Sequence, residues 1–382
     1  MIKDFELLKR NYAKLAVKRC LNFPKGDSVR IFANFDQLDF IGMLVEECYL
    51  AGAARVYVNW TYTEIDRIIK EKTSLASLKA LHPLTKQEID FDVKNKVHHI
   101  YVVSILPNYL NGLDEERSSA EYLARRRYLM RRTNHTRDRA PFVFLTVPSE
   151  SWAKFLFPQL TKEAAIEKMW RAIFFSSYIN AKDPFKAWDD HCKKIEYYAK
   201  QLTKLKIKTL HFTSKNGTDI VVGLPDKYRF NSPVHKDYHN NRYWFPNLPC
   251  EECYTSPHRL KVDGVVYTSK PISMSGEVIQ DAKFTLKHGR VIKVSAKQNE
   301  QLLKRFVNNS EEMHYLGELS LVPFSSPVNQ TGVPIFYECT LDENMGCHFA
   351  IGSGFYYGYQ NGASLSEKEL TAKGINFADN HI

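Results

Sequence analysis

The sequence has no phosphate-binding loop. Neither G-x-G-x-x-G nor G-x-x-x-x-G-K-[ST] occurs, and Gly42, Gly52 and Gly112 stand alone, so a nucleotide-binding role finds no support. H-E-x-x-H and G-x-S-x-G are also missing. Their absence excludes the commonest zinc-protease helix and the nucleophile elbow of serine hydrolases. Nor does any window approach the ~18–20 uncharged apolar residues of a membrane span. The longest candidate, Phe40 to Val58, is broken by Glu46, Glu47 and Arg55. The opening Met1-Ile-Lys-Asp-Phe-Glu lacks an apolar signal core, which predicts a cytoplasmic protein with no membrane partner. The 7 cysteines, an odd number scattered along such a chain, read as reduced thiols. Cys250-Glu-Glu-Cys253 spells C-x-x-C, but no second pair lies nearby to complete a structural zinc site. Pro246, Pro249 and Pro257 around it predict extended chain rather than a redox turn.

What is present is the composition of a globular protein, 44% apolar and 25% charged over 382 residues. That length exceeds a single core and predicts two domains. Net charge is +10, from 53 Lys and Arg against 43 Asp and Glu. Arg125, Arg126, Arg127, Arg131, Arg132, Arg137 and Arg139 crowd into one segment. A nucleic-acid patch is one reading; the favoured one is the solvated face of a helix whose buried side is Tyr122, Leu123, Leu129 and Met130.

Periodicity divides the chain. In the first half, Phe5, Leu8, Tyr12 and Leu15 mark an amphipathic helix. Strands at 28–33, 55–60, 97–103 and 141–147 alternate with helices at 38–51 and 64–72, which implies parallel β-α-β units with helices on both faces of a sheet. After a helix at 184–205 the pattern becomes antiparallel. Asn216-Gly217, Asp263-Gly264 and His288-Gly289 each separate alternating runs and predict hairpins, with a helix near 300–307. The expected architecture is an α/β N-terminal domain with a mainly parallel sheet (1–205) and an antiparallel β-rich α+β C-terminal domain (206–382).

The second half holds the richer chemistry. His211, His235, His239, His258, His288, His314, His348 and His381 lie there, with Glu251, Glu252, Glu318, Asp342 and Glu343 in strand-flanking positions. His235-x-x-x-His239 has helical metal-ligand spacing, but its Asn, Pro and Asp neighbours suggest a loop. The carboxylates and histidines are too far apart in sequence to make a local motif, and spacing alone leaves a metal site and ordinary solvated groups both open.

Four segments resemble one family. Pro249-Cys-Glu-Glu252-Cys-Tyr-Thr-Ser-Pro-His258 is similar to E-V-F-T-x-P-H of the thermophilic-type metallo-aminopeptidases, the aminopeptidase T and aminopeptidase S family. Leu316-Gly-Glu318-Leu-Ser-Leu-Val-Pro323 resembles its L-G-E-x-A-L-V-P, and Asp342-Glu-Asn-Met-Gly-Cys-His348-Phe-Ala-Ile-Gly352 its D-E-N-A-x-C-H-x-A-x-G. Gly374 to Ile382 resembles the segment leading into its H-x-D pair, and Lys215-Asn-Gly-Thr-Asp219 and the opening helix fit as well.

The resemblance implies metal ligands at Glu252, Glu318, His348 and His381. Two divalent ions, Zn²⁺ or Co²⁺ with Mn²⁺ possible, would be bridged by Glu318 and would activate a water against the N-terminal peptide bond of peptides. A homodimer is also implied. Glu251, next to a ligand, is the catalytic candidate for proton transfer, although neighbours on a strand face opposite ways. Two departures stand out: Phe355 occupies the place of a family Tyr, with Tyr356, Tyr357 and Tyr359 following, and the chain stops one residue short of the expected Asp, as though truncated at its C-terminus. They leave an alternative, a degenerate relative that binds peptide or nucleic acid without cutting.

Overall fold

The structure is a computed structural model and describes residues 3–104, 106–133, 139–237, 241–274 and 277–382. Helix α1 (Phe5–Leu15) runs on into a wider π-helical turn over Ala16–Leu21. Strand β1 (Ser28–Asn34), helix α2 (Leu38–Leu50) and strand β2 (Arg55–Thr61) follow where the sequence places them. Helices α3 (Thr63–Lys72), α4 (Leu75–Lys79) and α5 (Pro83–Lys94) lead to β3 (His98–Val103), and α6 (Glu115–Arg132) leads to β4 (Phe142–Thr146). The strands pair in parallel in the order β2-β1-β3-β4, and Asn247–Leu248, from much later in the chain, adds a fifth parallel strand beside β4. Helices α7 (Glu150–Leu156), α8 (Lys162–Ser176) and α9 (Pro184–Lys204) complete this half.

Alternation along the strands gives the sheet two unlike faces. Val29, Ile31, Ile100, Val143 and Leu145 are buried in one core with Tyr12, Phe40, Leu44 and Trp188. The other face is aromatic and charged. Phe32 stacks on Tyr101 with ring centres 4.9 Å apart, and Tyr101 on Phe144 at 4.6 Å. Beside them Arg30 forks onto Asp92 at 2.7 and 2.8 Å, and His99 meets the same carboxylate at 3.0 Å.

Burial works against the charge on Asp92, but His99 and Arg30 outweigh it and hold its pKa below the usual carboxylate range. Asp92→Ala takes the bidentate partner from a buried guanidinium that keeps only Asn59 at 2.9 Å and Glu88 at 3.6 Å, and is expected to cost about 3 kcal/mol at pH 7. A depressed folded pKa means that the stabilisation is full above about pH 4 and fades as pH falls further, so the wild-type and variant urea midpoints should converge in acid.

The second half is antiparallel, as the turns predict. β5 (Thr209–Thr213) and β6 (Asp219–Gly223) form a hairpin around Asn216-Gly217. Two short strands, β7 (His235–Lys236) and β8 (Tyr243–Trp244), pair with each other; Asn247–Leu248 is β9 and Cys253–Thr255 is β10. The sequence misses one turn: Asp263-Gly264 is not a hairpin but lies inside β11 (Val262–Tyr267). Gly264, at φ +136°, passes so close to β6 that a Cβ would sit 2.2 Å from the Asp219 carbonyl oxygen, so glycine serves strand contact here rather than reversal. After β12 (Ile272–Met274) and β13 (Glu277–Ile279), β14 (Lys283–Lys287) and β15 (Arg290–Ser295) turn at His288-Gly289. Helix α10 (Glu300–Val307) packs Leu302, Leu303, Phe306 and Val307 into the second core. A separate three-stranded antiparallel sheet joins β10 to β16 (Leu316–Leu321) and β17 (His348–Ile351).

Most of the arginine run is tied to carboxylates. Arg125 meets Glu88 at 3.4 Å and Arg132 meets Asp90 at 2.9 Å, while Arg127 and Arg131 both reach Asp379 at 3.2 Å. Met130 is buried as expected; Tyr122 is 48% exposed and does not belong to the buried side. Arg137 and His239 lie outside the described residues. Among the described residues no helix is long and apolar enough to cross a membrane.

Candidate metal centre

The sheet β10-β16-β17 gathers the site by register. Ser320 lies opposite both Tyr254 and His348, and Glu318 lies opposite Ala350. Side chains two apart on a strand share a face, as do direct cross-strand partners. Glu252, Glu318 and His348 therefore emerge together, with small Ser320 and Ala350 leaving room between them. Leu316 pairs with Ile351 and Glu318 with Ala350, so Gly317 is an extra residue, and this bulge turns Leu316 into the core while Glu318 faces the site. A Cβ on Gly317 would lie 2.3 Å from the Ser353 carbonyl oxygen.

One ligand atom each from Glu252, Glu318 and His348 falls within 4.8 Å of the others. His348 Nε2 is 3.2 Å from Glu252 Oε2, the oxygen that also accepts from Ser320 Oγ at 2.5 Å. Cys250 Sγ donates to Glu252 Oε1 at 3.4 Å. His381 joins from the C-terminal segment, where Ile351 and Ile382 exchange backbone hydrogen bonds of 2.7 and 3.0 Å. Its Nε2 lies 3.0 Å from Glu318 Oε2.

Both imidazoles turn Nε2 to a carboxylate and anchor Nδ1 on a backbone carbonyl: His348 on Gly346 at 3.2 Å, His381 on Ser353 at 2.7 Å. Metal-binding histidines are oriented in this way. The donor set of carboxylate oxygens and imidazole nitrogens fits a divalent cation of the zinc class.

The electrostatics agree. Burial disfavours a charged His348, yet Glu252, with Glu318 and Glu343 behind it, wins and lifts its pKa to about 10. A positive charge is thus favoured among these carboxylates, and a metal taking those oxygens would displace that proton. Burial, then the negative Glu252 and Glu318, pushes the Glu343 carboxyl well above its ordinary value. Glu343 Oε1 accepts from Asn247 Nδ2 at 3.1 Å, so the short strand β9 fixes it at the edge of the cluster.

Glu251 is turned away. Its Oε1 lies 3.3 Å from His191 Nε2 and 3.4 Å from the Tyr178 hydroxyl, in a buried nest where desolvation raises its pKa to about 8. Adjacent positions on an extended strand account for the divergence from Glu252. Phe355 packs its ring 5.2 Å from that of His381 and stacks on Tyr357 at 5.1 Å. Tyr357 packs edge-on to Tyr254 with ring centres 6.2 Å apart, and the negative Glu318 and Glu252 help raise its pKa after burial and Tyr356. Tyr254 in turn meets His235 Nε2 at 2.6 Å. This cluster of Tyr357, Tyr254 and His235 rings, like Ser320 and Asn247, left no signal in the sequence beyond residue type.

Residues 6–382 match the thermophilic metalloprotease (M29) family. The chain is 33% identical to aminopeptidase AmpS of Bacillus subtilis (strain 168), over 99% of this chain and 92% of that one. It is 30% identical to aminopeptidase PepS of Streptococcus thermophilus, over 100% of this chain and 92% of that one. Among solved structures it is similar to wild-type AmpT from Thermus thermophilus, with a TM-score of 0.86 and 26% identity, over 99% and 92% of the two chains. Fold, donor set and sequence agree, and the chain belongs to the thermophilic metalloprotease (M29) family.

Proposed function

We propose that the chain is an aminopeptidase that hydrolyses the N-terminal peptide bond of peptides with two divalent cations, Zn²⁺ or Co²⁺ with Mn²⁺ as a further candidate. Glu252 and His348 would hold one, His381 the other, and Glu318 would bridge. The observation that carries this reading is the convergence of Glu252, Glu318 and His348 on one sheet face, with His381 reaching Glu318 from the C-terminal segment and both imidazoles anchored through Nδ1. When bound, such a pair lowers the pKa of a water and polarises the scissile carbonyl. The protein's own part is proton transfer and orientation. Glu343 faces the cluster and is the group we assign to take the water's proton and return it to the leaving amine; Glu251, on the opposite face, supports the strand. The Tyr357 hydroxyl, on a ring that stacks on Phe355 and packs against Tyr254, would hydrogen-bond the developing oxyanion in place of a hydroxyl at position 355.

A homodimer in the cytoplasm completes the proposal, carried by family resemblance; sedimentation tests the dimer. Activity is tested by release of arylamine from aminoacyl-arylamides, with N-acetylated substrates as the blocked control. The unblocked substrate should turn over with added Zn²⁺, Co²⁺ or Mn²⁺ and the blocked one should not. Tyr357→Phe should lower kcat roughly tenfold to a hundredfold with little change in KM. No turnover with any of these metals would sink the activity.

A further inference from the structure

The arginine run contains an electrostatic anomaly. Arg139 has no carboxylate partner among the described residues: its Nη2 donates to the Tyr101 hydroxyl at 2.8 Å, and its guanidinium lies 3.9 Å from the centre of the Phe142 ring. The Nε atoms of Arg139 and Arg126 are both buried with no acceptor. Burial and the nearby Arg126 and Arg125 all work against the charge on Arg139, with only the Tyr101 oxygen favouring it. Buried donors of like charge, left unmatched, call for an anion.

Aromatic rings lead from this cluster to the metal centre. Phe142 is 4.8 Å from Trp244, Trp244 is 4.9 Å from His235, and His235 is 5.0 Å from Tyr357, the ring beside Phe355 and His381. All of these but Trp244 are half-buried. With the 3.9 Å step from Arg139, the path to Tyr357 is at most about 19 Å. An extended peptide advances ~3.3 Å per residue, so about five or six residues span it.

We propose that Arg139 and Arg126 form a subsite for a carboxylate of a short peptide lying along this aromatic path, with its N-terminus at the Glu252, Glu318 and His348 cluster. The proposal rests on the aminopeptidase reading for the direction of the peptide. The carboxylate comes from the C-terminus or from an acidic side chain near it. A guanidinium–carboxylate pair at a site shielded from water is worth roughly tenfold to a hundredfold in affinity.

Calorimetric titration of the whole chain with a pentapeptide made uncleavable by an N-methylated first bond tests the subsite without relying on turnover. The free acid should bind at least tenfold more tightly than its C-terminal amide, and an amide ending in Asp should recover that affinity only if a side-chain carboxylate suffices. Arg139→Gln and Arg126→Gln should shrink the difference between acid and amide to within about threefold, and Arg139→Lys, which keeps the charge but loses the planar fork stacked on Phe142, should keep only part of it. Equal affinities for acid and amide in the wild-type protein, or an undiminished preference in both glutamine variants, would overturn the subsite. Failure to hydrolyse any arylamide would instead overturn the aminopeptidase reading, which the titration does not depend on.

Discussion

Glu318→Gln is expected to strip the chain of bound divalent ions and to lower kcat/KM on an aminoacyl-arylamide by roughly a thousandfold or more. Glu318 sits on the middle strand of the sheet, its carboxylate reaching His381 at 3.0 Å while sharing the cluster with Glu252 and His348. No other ligand candidate touches both sides. Glutamine fills the same volume, so the fold and the contact with His381 survive. On the proposed two-cation reading, what disappears is the negative charge between the ions, and Lewis-acid stabilisation worth several kcal/mol would go with it. Elemental analysis after dialysis should find under one ion per chain, against two for the wild type. Full metal content in the variant would refute the bridging assignment.

The second large effect separates two carboxylates, Glu251 and Glu343, that the sequence presents alike in strand-flanking positions. Glu343→Gln should reduce kcat by about 10²–10⁴, the usual contribution of a positioned acid–base group, while leaving metal content and KM near their wild-type values. Glu343 is held toward the cluster by Asn247, whereas Glu251 is buried against His191 and Tyr178. Glu251→Gln should therefore leave most of the turnover intact. The opposite ranking in steady-state kinetics would return the proton-transfer role to Glu251.

How much of this was legible beforehand follows from where physical signals are local. Helices and strands of the first half were readable because apolar spacing at 3.6 and alternation at 2 persist over whole elements. The turn residues gave the β5–β6 and β14–β15 hairpins, yet the same cue failed at Gly264, where a missing Cβ admits a neighbouring strand. Strand β9 has only two residues in a proline-rich stretch, too short for any periodicity, so its addition to the parallel sheet was invisible. The ligand candidates were legible from motif resemblance, but their shared face depends on cross-strand register, which no single segment encodes. Asn247, Ser320 and the cluster of Tyr357, Tyr254 and His235 rings depend on contacts between distant segments and became visible only in three dimensions.

The bulge at Gly317 has a consequence for how this protein tolerates change in length. The phase of β16 is reset between Leu316 and Glu318, so that Leu316 and Leu319 both pack into the second core while Glu318 and Ser320 face the ligand cluster. Losing that single residue would shift every later position by one and exchange the two sides, sending Glu318 inward and Leu319 outward. Within the three strands, insertions and deletions should be far less forgiving than substitutions.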